Sequence, residues 1–401
     1  MEGSALKKVR GKLIAPLGLP PTSKRPSLLK KRIYTPVHWS QYFTACEKVV
    51  VNEDGDTFQI YRRGSCGPLL VLLHGGGFSA LSWALFAECI EGLVSCQILA
   101  IDMRGHGDTR TQNDENLTAE TQADDIVSVV KHVFGPSPPP IVLVGHSMGG
   151  AIAVHVAAAD QLPTIAGLVV IDVVEGTAME ALASMQSFLR SRPKQFHSLE
   201  QAIEWSVRSG QIRNSESARV SMPGQLSSDL TGICATSSVE VSSTTTISSI
   251  LSPNDTTSVN QPLKHGECIT EEEEEEGEKL ESSPSSHEAV FSLPAQTDIS
   301  RRSGYHWRID LTKTEHQWPG WFHGLSAKFL AIPAAKLLLL AGIDRLDRDL
   351  TVGQMQGKFQ MQVLPQCGHA VHEDVPDKVA EVVATFLVRN RLTSPSDKFS
   401  W

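Results

Sequence analysis

Ile141-Val142-Leu143-Val144-Gly145-His146-Ser147-Met148-Gly149-Gly150 opens on four apolar residues, runs into Ala151-Ile152-Ala153-Val154, and carries G-x-S-x-G at the junction. Four apolar residues, three of them Val or Ile, read as a strand buried on both faces, and the small-residue run after the motif reads as a helix. A strand that turns straight into a helix forces strained angles on the residue at the apex and crowds its neighbours. Glycine is therefore needed on both sides, and the serine hydroxyl is left exposed at a helix N-terminus. Ser147 is the candidate nucleophile.

The same alternation recurs on either side. Leu69 to Leu73, Ile98 to Ile101 and Leu168 to Ile171 are further short apolar runs, separated by helix-like stretches at Leu81 to Glu91, Thr118 to Phe134 and Met148 to Ala159. This pattern predicts an α/β fold: a mostly parallel twisted sheet with helices on both faces and right-handed crossovers. Val49-Val50-Val51 and Phe58-Gln59-Ile60-Tyr61, flanking Asp54-Gly55, predict a β-hairpin ahead of it. Ala178 to Val220 is helical in composition and interrupts the rhythm, as an inserted helical cap from about residue 176 would. Strands resume at Lys336 to Ala341 and Phe359 to Val363. A closing helix follows at Pro376 to Arg389, with Val379, Val382, Val383 and Phe386 on one face. No repeat of 20 to 50 residues is visible, which excludes solenoids and propellers.

The chain has 401 residues, 41% hydrophobic and 20% charged, and a net charge of −9. The excess is local. Leu226 to Ser300 holds 14 acidic and 2 basic side chains, including the run Glu271 to Glu276, and the rest carries 34 basic against 31 acidic. That segment has 25 Ser or Thr in 75 residues and only Phe291 as an aromatic, so residues 226–300 are expected to be a disordered acidic insertion. Its glutamate run reads as a solvated segment rather than a docking site for a basic patch. Residues 1–35 form an expected flexible basic arm, with nine Lys or Arg against one acid before position 33; Lys30-Lys31-Arg32 reads as part of that arm or as a nuclear address. The hydrolytic domain is then expected over 36–225 and 301–392, with a tail at 393–401. A neutral body without a basic face argues against nucleic acid, and no run approaches the ~18 apolar residues of a membrane span. Seven scattered cysteines without C-x-x-C argue against a disulfide framework or zinc ribbon, and suit a reducing, cytoplasmic or nuclear setting.

A serine hydroxyl needs a base, and the tetrahedral oxyanion needs preorganised N–H donors. His74-Gly75-Gly76-Gly77 follows the first parallel strand; its Gly76 amide pairs with that of Met148, which gains from the helix dipole, while Gly75 and Gly77 remain alternatives. For the base, a loop after the last strands and before the final helix is required. His369, in Gln366-Cys367-Gly368-His369-Ala370, fits, and His372 is its competitor. His74, His106 and His146 read as hydrogen-bonded structural histidines. The acid that orients His369 must end a strand, and Asp172 and Asp344 both do; spacing leaves both open.

Gly145-His146-Ser147-Met148-Gly149-Gly150-Ala151 and Asp172-Val173-Val174-Glu175-Gly176-Thr177-Ala178-Met179 carry a resemblance. So does Gln354-Met355-Gln356-Gly357-Lys358-Phe359-Gln360-Met361, together with Gly368-His369-Ala370-Val371-His372-Glu373-Asp374. With these stretches the chain resembles the protein phosphatase methylesterases over most of Pro36 to Arg389. The resemblance implies an α/β-hydrolase fold and places the acid on Asp172. It implies a serine carboxyl methylesterase acting on the C-terminal leucine methyl ester of the type 2A protein phosphatase catalytic subunit, with no metal or organic cofactor. A glutamate run in an inserted loop is similar too. Trp205, Trp307, Trp318 and Trp321 are candidates for anchoring a peptide tail, with core packing as the competing role. The residues alone reach only a serine esterase; a general esterase or peptidase of this fold, or a phosphatase-binding inhibitory protein, are the alternatives.

Overall fold

The computed structural model describes residues 33–239, 304–342 and 346–397. The basic arm up to Arg32, the Glu271 to Glu276 run and Asp344 lie outside the described residues. Eleven strands are described: β1 (Ala45–Val50), β2 (Thr57–Arg63), β3 (Leu69–Leu73), β4 (Gln97–Ile101), β5 (Ile141–His146), β6 (Ile165–Ile171), β7 (Gln195–Phe196), β8 (Leu226–Ser228), β9 (Tyr305–Trp307), β10 (Ala335–Leu340) and β11 (Gln360–Val363). Eight form one sheet in the order β1-β2-β4-β3-β5-β6-β10-β11. The hairpin β1–β2 and the β2–β4 pair are antiparallel, and the other five pairings are parallel.

Burial on both faces follows from the apolar runs. On β3, Leu69, Val71 and Leu73 point into one core and Leu70 and Leu72 into the other, all fully buried. Each such side chain contributes about 1.5–3 kcal/mol. The first core packs the helices Ala119–Phe134 and Met148–Ala159 against the sheet, and the second packs Ala84–Leu93 and Pro376–Arg389. In the last helix Val379, Val383 and Phe386 share the inward face as expected, while Val382 is only half-buried at its edge against the second core. Register aligns the strand ends that matter: Leu73 pairs with Gly145, and Ile171 pairs with both His146 and Leu339. The loops after β3, β5, β6 and β11 therefore open on one edge of the sheet, where ligands bind in folds of this kind.

The cap departs from expectation in composition and extent. Beside the helices Glu175–Ser191, Leu199–Ser209 and Ser215–Ser221 it contains a three-stranded antiparallel sheet, β7-β9-β8, whose central strand lies beyond the acidic insertion. A third core, with Phe196, Ile203, Met222 and Leu226 buried and Trp205 and Trp307 against it, joins both sides of that insertion. Disorder from residue 226 is thus corrected: residues 226–239 are folded, with Leu226, Cys234 and Ala235 buried. Composition averaged over 75 residues hid a strand whose partner lies 77 positions downstream, Ser228 pairing with Tyr305. The described start of the expected tail is packed. The Thr393 hydroxyl donates to the Ser95 carbonyl at 2.7 Å and the Ser396 amide to that of Leu93 at 2.8 Å. Thr35, expected in the flexible arm, is tied to the cap instead, its carbonyl accepting from Arg219 Nε at 2.7 Å.

Candidate active site

Ser147 sits between β5 and its helix at φ 52°, ψ −120°, a left-handed backbone that a non-glycine residue rarely adopts. The surroundings enforce it. A Cβ on Gly145 would come within 2.1 Å of the Gly149 carbonyl oxygen, and one on Gly149 within 2.3 Å of the Leu73 carbonyl oxygen. The Ser147 amide donates to the Ile171 carbonyl at 2.9 Å, tying the apex to the end of β6.

One residue past that end, Asp172 also takes positive φ, 55°, which aspartate tolerates better than most. Its amide donates to the Leu339 carbonyl at 2.8 Å, and its Oδ1 accepts from the Ala341 amide at 2.9 Å. The other carboxylate oxygen, Oδ2, lies 2.8 Å from His369 Nδ1, and His369 Nε2 lies 3.0 Å from Ser147 Oγ. The side chain of Asp172 is fully buried, whereas that of His369 is about half exposed. With Nδ1–H donating to Asp172, Nε2 is left to accept the serine proton, so the arrangement can deprotonate Ser147 and hold the resulting imidazolium. Three segments separated by up to 222 residues are brought to one point.

The loop that carries His369 is clamped from two sides. His146 Nε2–H donates to the His369 carbonyl at 2.8 Å. The Asp374 carboxylate accepts from the Gly368 amide at 2.6 Å and from the Arg213 amide of the cap at 2.7 Å. The neighbouring Glu373 accepts from Ser217 and Ser221 of the cap helix at 2.7 and 2.6 Å. Its burial pushes the carboxyl up from 4.5 to about 8. His372 turns away from this chemistry. Its ring packs between Trp83 and His146, with centroids 4.1 and 4.5 Å away, and neither nitrogen has a hydrogen-bond partner among the described residues. Desolvation lowers it to about 3.

His74 and His106 are neutral supports of the loops. The His74 Nε2 accepts from the Met103 amide at 3.0 Å, and the His106 Nε2 accepts from the Gly77 amide at 2.9 Å. Burial lowers both, His106 to about 4. The Gly77 amide is therefore already engaged, and Gly75 is buried with its Cα against His146. Gly76 lines the cavity beside Ser147 and Met148, and a Cβ on it would lie 4.0 Å from that of Met148. Gly76 and Met148, the expected oxyanion pair, thus both line the cavity with Ser147.

These groups open into a cavity of about 560 Å³. One wall is a face of the helix Glu175–Ser191, with Ala181, Met185, Phe188 and Leu189; Leu311 and Trp318 also line the cavity. Trp318 and Trp321 are buried walls of this cavity and of the first core, while Trp205 and Trp307 pack with Phe196 in the cap. Among the described residues no cluster of three His, Cys, Asp or Glu is arranged to hold a metal. Arg192, Glu373 and Asp374 escaped sequence reasoning. The last two stand in the same stretch as His369 and were legible as acids beside a catalytic loop, but the aromatic partner of Arg192, Trp307, is too distant in sequence to give any signal.

Comparison with known proteins agrees with this fold. The model of the alpha/beta hydrolase family matches residues 70–246 and 275–382. The protein phosphatase methylesterase 1 of Mus musculus is 56% identical over 374 residues, covering 92% of this chain and 89% of that protein. The Homo sapiens protein of the same name is 55% identical with the same coverage. The probable protein phosphatase methylesterase 1 of Caenorhabditis elegans is 42% identical, covering 95% of this chain and 84% of its own. Among solved structures, an E-2-(acetamidomethylene)succinate hydrolase superposes with a TM-score of 0.57 at 16% identity, covering 86% of this chain and 99% of that one. An esterase of M. tuberculosis superposes with a TM-score of 0.52 at 17% identity, covering 86% and 92%. At those identities the structures speak for the fold alone. Identity above one half across nine-tenths of the chain says more: the chain belongs to the protein phosphatase methylesterase 1 family of alpha/beta hydrolases.

Proposed function

We propose that this carboxylic ester hydrolase removes the methyl ester from the C-terminal leucine of the type 2A protein phosphatase catalytic subunit, with Ser147, His369 and Asp172 as its triad. The observation that carries the chemistry is the hydrogen-bonded chain Ser147–His369–Asp172 at 3.0 and 2.8 Å. Ser147 Oγ attacks the ester carbonyl as His369 Nε2 takes its proton. The oxyanion rests on the Gly76 and Met148 amides, and His369 returns the proton to the leaving methanol. Water activated by His369 then releases the leucine carboxylate from Ser147. Asp172 stays ionised throughout and holds the ring by Nδ1. The substrate part rests on the family and on the cavity, whose apolar wall of Ala181, Met185, Phe188 and Leu189 suits a leucine side chain and the residues before it.

The test is Ser147→Ala with the intact methylated phosphatase subunit. Demethylation is expected to vanish while binding survives. Undiminished demethylation would refute the mechanism, and turnover of short esters or lipids without action on the phosphatase by the unmodified enzyme would overturn the substrate.

A further inference from the structure

The cavity that holds Ser147 contains one Lys or Arg among its described lining residues, Arg192, at the end of the helix Glu175–Ser191. Its guanidinium lies over the indole of Trp307, 4.0 Å from the ring centroid, and its Nε is buried without a hydrogen-bond partner. No carboxylate within 4.0 Å pairs with it among the described residues. Asp172 in the same cavity is occupied with His369 and Ala341, and Asp310, the acid whose field it feels, makes no ion pair with it within 4.0 Å and takes the amide and hydroxyl of Thr312 on Oδ1. Burial accordingly lowers Arg192 from 12.5 to about 10. Arg192 lines the same cavity as Ser147, and a Cβ on Gly77, in the loop after β3, would lie 3.8 Å from Arg192 Nη1. A planar cation held flat by an aromatic ring, desolvated and lacking a counter-ion, is the arrangement that gains most from a carboxylate, which it can grip with two parallel hydrogen bonds. The remaining wall of Met185, Phe188, Leu189, Leu311 and Trp318 offers no competing anion.

We propose that Arg192 is the carboxylate-binding residue of the active-site cavity, receiving either an acidic side chain of the bound peptide tail or the terminal carboxylate that ester hydrolysis creates. In the first case it selects the substrate, and in the second it retains the product. The inference deepens the methylesterase reading and rests on it for the peptide. Its test measures binding without turnover, so that the two can fail separately.

The experiment is calorimetric titration of the full chain with short peptides ending in leucine, in four forms: free carboxylate or amide at the terminus, each with and without one acidic side chain. Charge-assisted bonds of this kind predict that at least one carboxylate raises affinity about tenfold to a hundredfold over the amidated neutral peptide, and that Arg192→Met abolishes the gain. Whichever carboxylate carries the gain identifies the source. Arg192→Lys keeps the charge without the planar fork and is expected to lose most of the preference; it stands in if Arg192→Met does not fold. Equal affinities for all four peptides in the unmodified protein, or a preference that survives in the variant, would overturn the proposal. If the phosphatase proves not to be the substrate while the peptide series behaves as described, the carboxylate site stands and the substrate assignment falls.

Discussion

Replacing Glu373 by glutamine should make stability less sensitive to alkali, by an amount the structure sets. Glu373 is fully buried beside the loop of His369; Oε2 accepts from Ser217 and Ser221, and Oε1 has no partner among the described residues. Desolvation dominates over the two serine bonds and lifts the carboxyl from 4.5 in the unfolded chain to about 8. The folded protein therefore keeps a proton that the unfolded chain releases. A group raised in this way contributes nothing unfavourable below about pH 4.5, and its contribution to stability is lost progressively as pH climbs toward 8. At roughly 1.4 kcal/mol per unit, the loss between pH 5 and pH 7 is on the order of 2–3 kcal/mol. Glutamine keeps the shape and an acceptor for both serines but cannot ionise. Urea unfolding of both proteins at pH 5, 6, 7 and 8 measures the effect. The stability of Glu373→Gln relative to the unmodified protein should rise steadily over that range, with the midpoints diverging in the variant's favour. A difference independent of pH would show that the carboxyl ionises as readily in the folded state as outside it, and the argument from burial would fail.

Two further substitutions probe the site. Asp172→Asn preserves the acceptor for the Ala341 amide but presents an N–H to His369 Nδ1, so the ring proton moves to Nε2, where Ser147 must donate; kcat on a methyl ester should fall about 10⁴-fold with an unchanged unfolding curve, and a loss under tenfold would remove Asp172 from the triad. Gly149→Ala drives a methyl group to within 2.3 Å of the Leu73 and 2.5 Å of the His74 carbonyl oxygens, backbone atoms that cannot swing aside; a loss of about 3 kcal/mol or more is expected in urea unfolding, and a change under about 0.5 kcal/mol would mean the turn is less crowded than its geometry states.

The parallel strands and their helices were legible because each reports itself locally. A run such as Leu69 to Leu73 is apolar at every position only if both faces are covered, and the Gly145–Gly149 spacing around Ser147 follows from crowding within a single turn. That is why the candidate nucleophile, the fold class and approximate helix limits could be read from neighbours in the chain. Choosing between Asp172 and Asp344 could not be done that way, since both end apolar runs. Only the folded chain shows that Asp172, one residue past the Ile171 that pairs with Leu339 of β10, stands 2.8 Å from His369 Nδ1; Asp344 lies outside the described residues.

The same limit explains the cap. Strands of two or three residues such as Gln195–Phe196 and Leu226–Ser228 have no hydrophobic period, and they exist only because Tyr305–Trp307, beyond the acidic insertion, satisfies their backbone groups. Arg192 belongs to this second kind of information. A lone arginine before Pro193 is unremarkable in one dimension, and becomes a desolvated cation in the cavity only when Trp307 closes over it. Short-range sterics and burial wrote the scaffold and the serine into adjacent residues. The histidine clamp, the acid and the charge in the cavity depend on pairings across hundreds of residues, which folding alone brings together.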